Sequence, residues 1–406
     1  MKQTLAVIVG FSFIPILTKK KVPIAYSILI SALVMMLIPS LGLDVIGQIF
    51  KSTMLEPKKI GQYLIVLEIG ILGALLKKHG FIEIIIDKLN KVVANKKLQL
   101  MFLPALIGLL MVPGGAIISA PFIDNIGDEL DVEKPRRAVI NMIFRHISMH
   151  FMPYSSSFLL MALLLPQVSV YKVIGLNIIY VIIYATLGYF TYIRDIKDEK
   201  PQSREDSAIK NFLQLALYTL PIYFAVILNV AFKTPFHIGI LANISILYLL
   251  KSEKTFIKDF IKGININVFL TIFGVYLIQA TISSFPEFNR MLESFLSNPG
   301  ALIPAMIGIS AFFALATGFQ PAAMGVILPV IGGISLSVGR MTALSHIAFT
   351  WSFIGYFFSP IHLCQLFTAE YMRVDNASLY KEYSRFIVIL IIATIVESFI
   401  LLAIFK

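Results

Sequence analysis

The sequence predicts an all-α polytopic membrane protein. It is built as two inverted repeats, each with five transmembrane helices, one re-entrant hairpin and one interfacial helix. Three observations predict this. First, the 406 residues are 58% hydrophobic and only 14% charged, with a mean hydropathy of +0.85, whereas soluble domains carry about 25% charged residues. Apolar runs of roughly 18–22 residues fit spanning helices, and the alternating ten-residue segments of barrel strands are absent. Second, a pattern recurs about 200 positions on. Leu103-Pro104-Ala105-Leu106-Ile107-Gly108 is matched by Ile303-Pro304-Ala305-Met306-Ile307-Gly308, Pro121 by Pro321, and His146-Ile147 by His346-Ile347. That period is far longer than a solenoid repeat. Third, both copies are apolar yet broken by Gly and Pro, and paired interrupted apolar segments are the best sequence pointer to a carrier's binding site.

The remaining composition narrows the classes. A net charge of +11 in a membrane protein reflects basic residues gathered in cytoplasmic loops, and no soluble basic module exists to bind nucleic acid. The single cysteine, Cys364, rules out an internal disulfide. Leu5–Leu17 is apolar, but Lys19-Lys20-Lys21 stands where a signal peptide would carry a small-residue cleavage site, so this stretch is expected to be the first span.

In order, spans are expected at 3–17, 22–41 and 60–76. Phe81–Val93 follows, with Ile82, Ile85, Ile86, Leu89, Val92 and Val93 at helical spacing and Glu83, Asp87, Lys88 and Lys91 between them. Such a segment lies in the interface. Residues 99–126 hold two apolar stretches around Pro113-Gly114-Gly115. Each is about 12 residues, or ~18 Å of helix, too short for a ~30 Å core, so a hairpin is expected. Its non-helical tip is tolerable only against protein or a cavity, and Gly114 and Gly115 allow a tight turn and close approach to a ligand. A charged solvated loop is expected over Asp124–Arg137, a span broken near Pro153 over 138–165, and a span at 168–193. Polar residues 194–210 form a cytoplasmic linker between the halves.

The second half repeats this order. Spans are expected at 211–232, 235–250 and 264–284, then an interfacial helix over 285–298 with Phe288, Met291, Leu292, Phe295 and Leu296 as its apolar stripe. A second hairpin occupies 300–331, with its tip near Thr317-Gly318-Phe319-Gln320-Pro321. A broken span at 341–370, interrupted at Ser359-Pro360, and a last span at 384–405 complete the chain. Five crossings per half, an odd number, invert the second half. Lys and Arg divide into about 9 on the N-terminal side and about 24 on the other, with Arg145 inside a span. The basic side is the cytoplasm, which places both termini outside.

Several residues could carry chemistry. Arg145 sits in the otherwise apolar Val139–Ile147; it is either a counter-charge for an anion or an arginine snorkelling to the boundary. His146 and His150 are one turn apart, a weak metal signal without a third ligand, and a titrating or hydrogen-bonding role fits better. His346 repeats His146. Glu68 lies mid-span and could take a proton or sodium, or be a structural pair. Glu397 is nearer the external end. The polar residues at the breaks, Ser119, Asn141, Ser155, Ser156, Ser157, Thr317, Gln320 and Ser359, cluster where half-helix N-termini would face an anion and unwound carbonyls a cation. A P-loop, an H-E-x-x-H and a G-x-S-x-G elbow are all absent, so neither an ATP-driven pump of that type nor a membrane hydrolase is expected.

With these residues in view, the chain resembles the ion transporter superfamily of secondary carriers. That superfamily includes divalent anion/sodium symporters, the membrane subunits of dicarboxylate TRAP systems, and gluconate- and citrate-type permeases. The resemblance lies in the layout and covers nearly the whole chain. More narrowly, Val112-Pro113-Gly114-Gly115-Ala116 leading to Ser119-Ala120-Pro121, then Asn141 and Phe144-Arg145-His146, look like an uncharacterised prokaryotic family within it. The resemblance implies an elevator carrier in a prokaryotic inner membrane. Residues 99–193 and 300–406 would be the moving transport domain, and 1–98 and 211–299 a scaffold that also makes a homodimer contact. The symporters carry Ser-Asn-Thr at their hairpin tips; this chain has no such triplet, so their sodium and carboxylate ligands do not carry over.

The function expected is a secondary active transporter of a small organic anion, coupled to sodium or protons, with no cofactor other than a sodium ion. Its binding residues would be Gly114, Gly115, Ser119, Asn141, Arg145, His146, Ser155, Ser156, Ser157, Thr317, Gln320, His346 and Ser359, with Glu68 and His150 as candidates for cation coupling. A cation/proton antiporter using Glu68 and His146 is the alternative within transport. A membrane enzyme or scaffold is the alternative outside it, and no activated nucleophile or metal constellation supports one.

Overall fold

A computed structural model describes residues 2–111, 115–197, 208–251, 253–298, 300–333 and 336–405, and these form helices with no strand among them. Val112, Pro113 and Gly114, including the predicted binding residue Gly114, lie outside the described residues, as does 198–207 of the linker. The first half runs α1 (Lys2–Lys19), α2 (Ile24–Leu37), α3 (Leu43–Leu55), α4 (Pro57–Lys78), α5 (Phe81–Val92), α6 (Lys96–Gly108), α7 (Ala116–Glu129), α8 (Lys134–His146), α9 (Ser156–Leu164) and α10 (Val170–Gly188). The second runs α11 (Ala208–Phe232), α12 (Phe236–Leu250), α13 (Phe256–Lys262), α14 (Ile266–Ser283), α15 (Pro286–Ser297), α16 (Leu302–Thr317), α17 (Gln320–Gly333), α18 (Val338–Phe357), α19 (Leu363–Met372) and α20 (Asn376–Ile404).

Five of the ten expected crossings are continuous helices long and apolar enough to cross a membrane: Lys59–Lys78, Val170–Ile193, Ile209–Phe232, Phe256–Ser283 and Asn376–Ile404. The others are shorter or two-piece. α2 has 14 residues and α12 has 15, or ~21 and ~22 Å of helix. The segments at 138–165 and 341–370 are each divided between two helices, α8 with α9 and α18 with α19.

The first break is wider than expected around Pro153. A 3-10 turn at Ile147–His150 follows α8, and α9 does not start until Ser156. The second break lies between Phe357 and Leu363 and contains Ser359-Pro360 as expected. α6 and α7 pack together, as do α16 and α17, and each pair packs on its own broken helix, α8 and α18 respectively. Two glycines allow the closest of these approaches. A Cβ on Gly108 would lie 2.1 Å from Arg145 O, and one on Gly355 would lie 2.1 Å from Ala311 O. The halves also interlock: α9 packs on α17, and α19 packs on α7 and α8. Elsewhere α14 packs on α2, α3 and α4, and α11 on α5 and α12.

The expected amphipathic helix is α5, which buries Phe81, Ile82, Ile85, Ile86 and Leu89 and exposes Glu83, Asp87 and Lys91. α15 buries Phe288 and partly buries Met291; the side chains of Leu292, Phe295 and Leu296 lie outside the described ones.

One expectation is corrected. Asp124–Arg137 is not a solvated loop, because α7 runs to Glu129 and α8 starts at Lys134. Arg137 is buried there. Its Nη1 donates to Asp124 Oδ1 (2.8 Å) and Asp128 Oδ1 (2.6 Å), two carboxylates one turn apart, and its Nε donates to Val132 O. Gly127 leaves room for it, since a Cβ there would meet Arg137 Cδ at 2.4 Å. α3 and α13 fill stretches to which the sequence assigned no element: α3 buries Ile49 and Thr53, and α13 buries Phe256. Glu397 is engaged within the fold. Tyr180 Oη donates to its Oε2 at 2.7 Å, and His346 Nε2 lies 2.5 Å from its Oε1.

Candidate functional site

The two breaks and the second hairpin tip meet at one cavity of about 220 Å³. Three helix starts face it: Ser155, Ser156 and Ser157 at α9, Gln320 and Pro321 at α17, and His362, Leu363 and Cys364 at α19. α9, α17 and α19 have 9, 14 and 10 residues, so each turns the positive end of its dipole towards the space, although α17 offers fewer donors because Pro321 has no N–H and Ala322 N already donates to Phe319 O. Arg145, at the end of α8, lines the same cavity while only 4% exposed. Its Nη1 lies 3.9 Å from Cys364 Sγ. Among the described residues no Asp, Glu or Lys lines the cavity. A further part of the lining is mostly apolar and comes from α4 (Val66, Ile69, Gly70) and α14 (Asn267, Val268, Thr271, Ile272).

Local chemistry sets these pieces in place. Gly318 ends α16 at φ +62°, a left-handed conformation that an L side chain adopts at a cost. A Cβ there would also meet Ile361 O at 2.9 Å, so this glycine brings the hairpin tip against the second break. Thr317 Oγ1 donates to Phe313 O (2.7 Å) and accepts from Phe319 N (3.3 Å), closing the turn. Ser359 Oγ donates to Leu315 O at 2.6 Å and ties the break to α16. Ser157 Oγ donates to Gln320 Oε1 at 2.9 Å, and Gln320 Nε2 donates to Phe349 O at 3.0 Å. Ser155 Oγ is buried with no hydrogen-bond partner among the described residues.

The predicted binding residues therefore divide. Arg145, Ser155, Ser156, Ser157 and Gln320 share the cavity. Thr317 and Ser359 shape its rim from behind. Gly115 precedes α7. Ser119 and Asn141 are committed to each other, with Ser119 Oγ donating to Asn141 Oδ1 (2.6 Å) and Asn141 Nδ2 donating to Ala116 O and Thr368 Oγ1 (both 3.1 Å). That buried network holds α7, α8 and α19 together. His346 pairs with Glu397, and His150 packs among Tyr180, Tyr184 and Phe353 at centroid distances of 5.5, 5.1 and 4.3 Å. Glu68 does not line the cavity, although Val66, Ile69 and Gly70 around it do; its Oε2 is buried with no partner among the described residues.

Sequence reasoning missed Tyr356, Cys364, Asn267 and Thr271 as lining residues. Asn267 and Thr271 are one turn apart on an apolar span, a polar pair that was visible in the sequence. It also placed His146 with His150, whereas His146 faces His362 across 4.9 Å between ring centroids. His146, His362 and Cys364 form a buried cluster in which a ring nitrogen of each histidine and the Sγ lie within 4.8 Å of one another.

The model of a family described as "Protein of unknown function (DUF401)" matches residues 3–404. No curated protein matches the sequence.

Proposed function

The chain belongs to the DUF401 family, and we propose that it is a secondary active transporter for a small organic anion of the carboxylate class, coupled to sodium or protons. One observation carries this reading: three helix N-termini and the Arg145 guanidinium face a single cavity that, among the described residues, no acidic side chain lines. Hydrogen-bond donors and positive charge in a membrane-embedded space of low dielectric suit an anion. The half-helix arrangement is the one by which discontinuous helices hold carboxylates at the bilayer midplane. The volume, about 220 Å³, lies below the roughly 300–1,000 Å³ of drug-sized sites, which favours a small substrate.

An elevator mechanism is part of the proposal. In it, α6–α10 and α16–α20 move together and carry the cavity past α1–α5 and α11–α15. The interlocking of α9 with α17 and of α19 with α7 and α8 supports a single moving body, and the mostly apolar α4 and α14 wall gives it a surface to slide on. α6–α7 and α16–α17 are the two re-entrant hairpins of inverted halves. The charge asymmetry of the loops puts both termini outside an inner membrane, and the resemblance to the ion transporter superfamily adds a homodimer. The test is thermal unfolding of purified protein against carboxylates, sugar acids and inorganic anions, with and without sodium, at two pH values. A ligand at 100 times its Kd stabilises by about 2.7 kcal/mol. A shift that needs both a carboxylate and sodium, or a carboxylate and low pH, is the expected result; no shift with any anion contradicts the reading.

A second reading, cation/proton antiport, rests on Glu68, whose buried Oε2 sits beside the cavity wall. It predicts a shift with sodium or pH alone, and unchanged cation flux in Glu68→Gln contradicts it.

A further inference from the structure

We propose that His146, His362 and Cys364 form a binding site for a soft monovalent metal cation of the copper(I) class. The argument begins with the tautomers. His146 Nδ1 is 2.6 Å from Met142 O, and His362 Nδ1 is 3.2 Å from Phe357 O. A carbonyl oxygen only accepts, so each neutral ring carries its proton on Nδ1 and its lone pair on Nε2. This is the backbone-anchored orientation that metal-ligating histidines adopt. Both Nε2 atoms are buried and have no hydrogen-bond partner among the described residues. Two orphaned acceptors on facing rings are costly unless something fills the space between them.

Cys364 completes the set. Its Sγ and a nitrogen from each ring lie within 4.8 Å of one another. A trigonal first-row ion holds such ligands ~3.5–3.8 Å apart, given bonds of about 2.0 Å to nitrogen and 2.3 Å to sulfur. The three side chains must therefore draw closer together to hold the ion. One thiolate and two imidazoles, with no carboxylate among the described residues lining the adjoining cavity, select a soft ion over magnesium, calcium or sodium.

Charge selects monovalent over divalent. Arg145 Nη1 lies 3.9 Å from Cys364 Sγ, and among the described residues no carboxylate lines the adjoining cavity, so each further positive charge brought here is costly and a divalent ion costs more than a monovalent one. His362 and Cys364 both line the cavity, which provides the entry path. The inference is independent of the anion-transport reading, since none of its premises requires that the cavity carry an anion.

The experiment titrates purified full-length protein in detergent with copper(I) held by bicinchoninate, and reads copper bound per chain from the loss of the chelator's colour. One copper per chain is expected, with a Cys364→Ser variant binding at least about 100-fold more weakly. X-ray absorption of the copper-loaded natural sequence needs no variant, and should show one sulfur near ~2.3 Å and two nitrogens near ~2.0 Å. Failure of the natural sequence to take copper(I) from the chelator would overturn the site. So would undiminished binding by Cys364→Ser, absence of a sulfur neighbour, or displacement of copper(I) by equimolar zinc(II).

Discussion

Ser157 Oγ donates a 2.9 Å hydrogen bond to Gln320 Oε1, joining the starts of α9 and α17 across 163 positions of sequence. The bond is buried and lies on the cavity, so it couples the first break to the second hairpin tip. Removing one partner leaves a buried polar group exposed to nothing. Ser157→Ala and Gln320→Ala should each cost about 1–3 kcal/mol, and the double variant less than their sum. A double-mutant cycle in thermal unfolding measures the coupling; strict additivity would mean that the two helix starts are independent.

Gly318 is held at φ +62° with Ile361 O only 2.9 Å from where a Cβ would sit. Gly318→Ala should destabilise by about 1–3 kcal/mol through left-handed strain plus overpacking. Gly308→Ala is the control, because nothing lies within 4 Å of a Cβ there and Ala is the better helix former. The thermal midpoint should fall for the first and hold or rise for the second.

Arg137 supports the end of α7 through two carboxylates at once. Arg137→Ala strands Asp124, whose side chain is 17% exposed, more than Asp128, at 68%. A loss of about 2–3 kcal/mol follows, below the 3–5 kcal/mol of a fully buried pair. Arg137→Lys should recover less than half of it, since an ammonium cannot reproduce the guanidinium fork. Unfolding midpoints of the two variants check this.

Arg136 donates to Asp195, just beyond the α10 span, and holds that carboxyl below its ordinary value of 3.8. A depressed carboxylate contributes stability that is present above its unfolded pKa and is lost as pH falls through the lowered folded value. The tie should therefore be intact at pH 5 and above and weaken only in the region below 3.8. Asp195 is well exposed, so the effect is small. Protease cleavage of the neighbouring linker, compared between Asp195→Asn and the natural sequence at pH 6, should show faster nicking in the variant.

The helices of the site were legible because Gly and Pro interrupt long apolar runs, and nothing else in a membrane chain does so without a reason. The tip at Gly318 and the break at Ser359-Pro360 fall where those residues sit. α3 and α13 were not legible, since 13 and 7 residues of mixed polarity are too short to read as spans. Arg137 looked solvated because its partners lie on the preceding helix, and only the α7–α8 fold-back brings them near. His146 was paired with His150 on helical spacing, but the α8 helix ends at His146 and a 3-10 turn follows, which turns His150 into the aromatic packing and leaves His146 facing α19. Long-range juxtaposition of this kind has no local signature.

The most direct test is anion binding and uptake by Arg145 variants. Proteoliposomes bearing the natural sequence should accumulate a carboxylate identified by thermal shift, driven by a sodium or proton gradient. Arg145→Gln, checked for folding by an unchanged elution profile, should lose at least about 100-fold in affinity, as expected for a charge-assisted contact worth roughly 3 kcal/mol or more in a dry site. Uptake and affinity retained in Arg145→Gln would contradict the account.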